Sequence, residues 1–137
     1  MKKYELEKMS VEDYGQVKML VEQISKAVSD YFDGDGCDVR EWERFLDEKF
    51  WDVGHEVNYI LHEIDNGNGT SVVFVLDDMR KRLNEIRDFT MVRDARTRIG
   101  TKRYDFLENA GKQLGKISSD VYLLGKIIDR HLLELAE

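Results

Sequence analysis

Between positions 44 and 62 the chain places Arg44, Trp51, His55, Tyr59 and His62 at intervals of seven, four, four and three residues. A helix turns about 100° per residue, so Arg44, Trp51, His55 and His62 fall along one line, with Tyr59, Glu48 and Asn58 beside it. A second line on the same segment, Leu46, Phe50, Val53, Val57, Ile60 and Ile64, carries the aliphatic residues that a core requires. A helix with one apolar face needs no tryptophan and two histidines on the other. Trp, Tyr and Arg are the residues that most often anchor protein interfaces, because each joins a large contact area to a polar handle. The line Arg44, Trp51, His55, Tyr59 and His62 is therefore the expected partner-binding surface, for another protein or for a second copy of the chain.

The same residues invite other chemistry. Asp52 and His55 stand at i, i+3, from which both side chains reach one ion, but His62 lies about two turns beyond and only His131 remains to complete a site. The His55-Glu56 pair resembles the exposed phosphoacceptor histidine of phosphotransfer bundles. Asn58 and Tyr59, however, follow where that pattern has lysine and then glycine. Metal binding and phosphotransfer centred on His55 thus stand as alternatives to a non-enzymatic role, with no catalytic residue, metal ligand or cofactor assigned. Asp30, Asp33, Asp35, Asp38 and Glu41 suggest a calcium loop, yet Phe32 and Gly34 would occupy ligand positions and Asp35 the place of the turning glycine. Capping and solvation account for these acids.

The net charge of −7 is unevenly spread: residues 1–76 hold 17 acids and 8 bases, whereas residues 77–103 hold 5 acids and 9 bases. The acidic first part argues against non-specific nucleic-acid binding by the whole chain, since such affinity is built from cations that displace condensed counterions. It suits a basic protein partner. The distal cations Arg93, Arg96, Arg98, Lys102 and Arg103 form the alternative surface, an anion-binding segment for a polyanion or nucleic acid. Arg80 and Arg87 are expected to pair with acids on neighbouring helices.

These surfaces must be positioned by helices, because the chain has no proline and its apolar residues recur at helical spacing. Ser10 and Asp13 read as a cap for a helix over residues 10–32, with Val17, Leu20, Val21, Ile24, Val28, Tyr31 and Phe32 inward and Lys2 to Met9 extending or fraying it. Asp38 and Glu41 repeat the arrangement for residues 38–65. The turn Asn66-Gly67-Asn68-Gly69 precedes a third helix over 70–97, with Val72, Leu76, Met79, Leu83 and Ile86 inward; SVVFVL at 71–76 has no second strand to pair with and is read as its first turns. A break near Gly100 leads to a fourth helix over 101–135, with Tyr104, Leu107, Leu114, Val121, Ile128, Leu132 and Leu135 inward. Gly111, Ser118 and Gly125 give that helix a groove of small side chains, suited to a large residue such as Phe50 or Trp42, or to an apolar ligand.

The expected architecture is all-α: a single-domain antiparallel four-helix bundle, up-down-up-down, spanning residues 1–137. No apolar run reaches the length of a bilayer span and no apolar signal core follows the N-terminal lysines, so a cytoplasmic protein without membrane contact is expected. The single cysteine, Cys37, forms no internal disulfide and lacks a nearby histidine in sequence.

Overall fold

A computed structural model describes residues 3–33 and 44–135. It contains strand β1 (Lys3–Leu6), helices α1 (Val11–Asp33), α2 (Arg44–Asp65), α3 (Gly69–Arg96) and α4 (Lys102–Asp129), and strand β2 (Leu132–Leu135). The chain is an all-α four-helix bundle. Each helix packs on two others, α1 and α3 both lying against α2 and α4. Cross-links fix the directions. Tyr14 reaches Asp65 at one end of the α1–α2 pair and Tyr31 reaches Asp47 at the other. Lys49 meets Glu85 and Arg82 meets Glu56 between α2 and α3, so successive helices are antiparallel.

The apolar stripes do what their spacing predicts. Leu20 and Ile24 of α1, Phe50 and Val57 of α2, Met79 and Ile86 of α3, and Leu107 and Val121 of α4 all lie in one buried cluster. Tyr31 stacks on Phe50, with ring centroids 3.8 Å apart and an interplanar angle of 13°, and its hydroxyl donates to Asp47 Oδ1 at 2.6 Å. The phenol thus fills core volume without leaving its polar end unpaired. Segment 71–76 is helical, as expected. Thr90 is accommodated within α3 because its buried hydroxyl donates back to the carbonyls of Ile86 and Arg87.

Helix ends follow their capping chemistry. The Ser10 side chain accepts from the Asp13 amide at 3.1 Å, and Thr101 caps α4 by accepting from the Tyr104 amide at 3.2 Å. Gly67 and Gly100 lie after the end of α2 and just before the Thr101 cap of α4, with φ of +70° and +89°, a region open to glycine at no side-chain cost. The expected cap at Asp38 and Glu41, along with Val39, Trp42, Cys37 and the supposed calcium-loop acids from Asp35 onward, lies outside the described residues.

The chain ends depart from expectation. Lys3–Leu6 neither extends nor frays α1, and residues 132–135 do not continue α4. The two segments pair as antiparallel strands, Lys3 opposite Leu135 and Leu6 opposite Leu132. Leu132 packs on the core from β2, but Leu135 is exposed, so it is not an inward helical position. β1 also docks on the α2–α3 turn: Thr70 Oγ1 accepts from the Tyr4 amide at 2.8 Å and the Leu6 amide donates to Gly67 O at 3.2 Å. A Cβ at Gly69 would stand 3.0 Å from the Tyr4 carbonyl carbon and oxygen, so a glycine is what permits this approach.

Two further corrections concern the last helix and α3. The small-residue line of α4 is not filled by Phe50: the Arg80 guanidinium lies over Gly125, while Gly111 faces open space. Arg80 and Arg87 pair within their own helix, with Asp77 and Asp88, because Arg80 extends toward α4 and the nearest acids are local.

Candidate interaction surface

Arg44, Trp51, His55, Tyr59 and His62 all stand exposed on α2, turned away from its core line. Trp51 is 60% exposed and Tyr59 48%, large fractions for rings of their size. The residues form two ring pairs. Trp51 and His55 meet edge to face at 4.6 Å, and Tyr59 and His62 tilt together at 6.5 Å. Asn66 Nδ2 lies 3.3 Å from His62 Nε2.

Trp51 also forms one wall of a groove between α1 and α2, with a volume of about 480 Å³. Its other walls are Ser25, Val28, Ser29, Phe32 and Asp33 of α1 and Gly54, His55 and Asn58 of α2. Gly54 sets the helix spacing here. A Cβ at this position would come within 3.3 Å of Val28 Cγ1, so the two helices touch along this line and the tryptophan projects beside it. The α1 residues of the groove were not anticipated from the sequence; a glycine in mid-helix was the one available signal.

Asp52 is engaged across the α2–α3 seam. It turns toward α3, where its Oδ2 lies 3.3 Å from Arg82 Nη1, while Arg82 Nε donates to Glu56 Oε1 at 2.6 Å. Burial pushes the Glu56 carboxyl above the usual carboxylate range, and Arg82 offsets only part of that. Burial also works against the Arg82 cation, but the neighbouring carboxylates outweigh it and hold its pKa up. Among the described residues no three His, Cys, Asp or Glu side chains gather as a metal site would require. His131, the remaining candidate ligand, instead binds Asp13: Nε2 is 2.9 Å from Asp13 Oδ2, and Arg130 adds a contact at 3.5 Å. The His131 bond is the main reason the Asp13 carboxyl is held low.

The second expected surface lies at the opposite end of the bundle from the strands. Arg93 sits over the Phe89 ring at 4.9 Å, and Phe89 stacks on Phe45. Arg96, Arg98 and Lys102 are exposed around Ile99, itself 77% exposed. Arg103 is half-buried. No described helix is long and apolar enough to cross a membrane.

Compared with family models, curated proteins and solved structures, the chain matches none.

One local feature is open to direct measurement. The Tyr14 hydroxyl donates to Asp65, which raises its pKa above that of a free phenol by favouring the protonated form. The bond's contribution is present below the ordinary phenol pKa of about 10 and is lost as pH rises through the raised folded value. A spectrophotometric titration should show one tyrosine ionising late, and Asp65→Asn should bring it back toward its fellows. An unchanged titration in that variant would place the late phenol elsewhere.

Proposed function

We propose that this chain is a non-enzymatic interaction module that binds a protein through the outer face of α2 and the adjoining α1–α2 groove. The observation that carries this reading is the placement of Trp51, mostly exposed and forming the wall of a groove in which Val28, Phe32 and Gly54 lie beside the polar Asp33, His55 and Asn58. Leaving an indole in water forgoes the burial free energy of a large ring, and a partner recovers it. The flanking histidines, Tyr59 and Arg44 supply donors around that anchor, as the polar margin of an interface does. The acidic balance of residues 1–76 favours a partner with a basic surface.

Trp51→Ala should weaken association by more than about 1 kcal/mol, with the helical circular dichroism unchanged because the ring lies outside the core. The measurement is a quantitative pull-down from the host lysate, comparing wild type with Trp51→Ala/His62→Ala. Protein enriched by wild type alone supports this face; equal enrichment moves the contact elsewhere. A second reading, anion binding by Arg93, Arg96, Arg98, Lys102 and Arg103, draws on the cations around the α3–α4 turn, of which Arg93, Arg96, Arg98 and Lys102 are exposed and Arg103 is half-buried. It requires affinity for a polyanion that falls steeply with salt, and salt-independent binding rejects it.

A further inference from the structure

The groove between α1 and α2 has a negative end. Asp33, exposed and lining the groove, is the last residue of α1, where the final carbonyl groups of the helix lack intrahelical partners and sum to a negative pole. A Lys, Arg or His in the last turn neutralises such a pole, but the last turn of α1 has none and carries Asp30 and Asp33 instead. Asp30 has its own cation, Lys26, at 3.3 Å. Asp33 makes no ion pair among the described residues, and no described lysine or arginine lines the groove. Beside this carboxylate stand two aromatic walls, Trp51 and Phe32, with the indole held edge to face against His55. Ser29 lies four residues before Asp33, so the two side chains share one strip of α1. An apolar occupant laid on the indole would cover Asp33 and remove its water while offering no partner, and an anion would meet both the carboxylate and the negative pole. A flat cation suits every wall at once.

We propose that the groove receives an arginine side chain from a basic segment of the partner protein, its guanidinium lying over the Trp51 indole and donating to the Asp33 carboxylate. The proposal rests on the reading of this face as the interaction surface and names the chemistry of what enters it. The Ser29 hydroxyl accepts a further N–H from the same fork, and Val28 and Gly54 floor the aliphatic stem. Arginine suits the site better than lysine. Its planar, weakly hydrated guanidinium stacks on a ring while its edge donates sideways to two acceptors, whereas an ammonium is a compact, strongly hydrated point charge. A groove of about 480 Å³ has room for a side chain of this size and the backbone that carries it. Charge complementarity extends beyond the groove, because residues 1–76 hold 17 acids against 8 bases and so draw a basic segment toward α1 and α2.

The probe is N-acetylarginine amide, titrated into the full chain at low ionic strength and followed by the indole N–H resonance of Trp51, which is identified by its loss in Trp51→Phe. A single side chain without its flanking segment should bind with a dissociation constant of millimolar order. N-acetylcitrulline amide has nearly the same shape and no charge, and should bind about tenfold more weakly, since it forgoes the ring, the carboxylate and the helix pole together. N-acetyllysine amide should bind about threefold more weakly than the arginine probe. Asp33→Asn should weaken arginine binding about threefold and leave citrulline unaffected. Asp33 is exposed at a helix end, so the bundle should persist in this variant, which circular dichroism checks. Glu108→Gln removes an exposed acid at the α3–α4 seam and should change nothing.

An indole resonance that does not respond to the arginine probe overturns the proposal. So does equal affinity for the arginine and citrulline probes, which would make the groove indifferent to charge, or for the arginine and lysine probes, which would leave the fork unused. Arginine binding that survives Asp33→Asn, or falls equally in Glu108→Gln, would come from the overall acidity of the chain and overturns the site as well. If these probes fail while Trp51→Ala still loses capture of a host protein, the face stands with an occupant of other chemistry; if that capture is also unchanged, the reading of the face fails with it.

Discussion

Phe50→Ala should cost about 3–5 kcal/mol of folding stability, enough to remove a large part of the roughly 5–15 kcal/mol typical of a domain. The ring is fully buried and stacks on Tyr31, which is itself fully buried and anchored by Asp47, so neither neighbour can swing in to fill the vacated space. The cost joins lost transfer free energy to an uncollapsed cavity. Chemical denaturation followed by circular dichroism measures it. Phe45→Ala supplies the contrast, because Phe45 stacks on Phe89 at the surface, and about 1 kcal/mol or less is expected there. Similar losses at the two positions would mean that the Tyr31–Phe50 stack is not the packed centre of the bundle.

Arg82→Met should cost about 1–3 kcal/mol near neutral pH, because it strips the partner from Glu56, whose carboxyl is mostly covered. The pH dependence identifies the cause. Burial already pushes the Glu56 pKa up, and without the guanidinium nothing offsets it. A carboxyl raised in the folded state contributes its full share to stability below its unfolded pKa of about 4.3, and that share is lost as pH rises through the folded value. The deficit of Arg82→Met should thus be greatest at neutral pH and above, and shrink toward pH 4. Glu56→Gln combined with Arg82→Met should recover most of it at pH 7. A deficit independent of pH would assign the effect to lost packing of the arginine stem instead.

The four helices were legible because their inward residues repeat at the helical period for about four turns or more, long enough that single exceptions such as Gly54 or Thr90 do not mask the pattern. The strands were not. Lys3–Leu6 and Leu132–Leu135 offer four residues each, and the three-residue spacing of Leu132 and Leu135 imitates a helix turn. Their pairing joins the two ends of the chain, a non-local contact to which no local signal points. The exposed line of α2 could be read from its spacing, since the core line fixes which direction is outward. The groove beside it could not, because its other wall depends on Gly54 meeting Val28, a contact between helices. Charge partners were least legible: Arg80 and Arg87 pair locally while Arg82, between them, crosses to α2, a choice made by reach and rotamer rather than by composition.

The pairing of the two chain ends gives the domain a directional mechanical weakness. Lys3 and Leu135 lie opposite each other at the open end of the β1–β2 ladder. A pull applied between them would load its hydrogen bonds one at a time, like a zipper, rather than all together in shear. Next in line are Asp13, Arg130 and His131, which clamp the start of α1 to the end of α4. Tension on the two ends would be spent first at this seam, while the aromatic stack at Tyr31 and Phe50, at the far end of α1, would be loaded last.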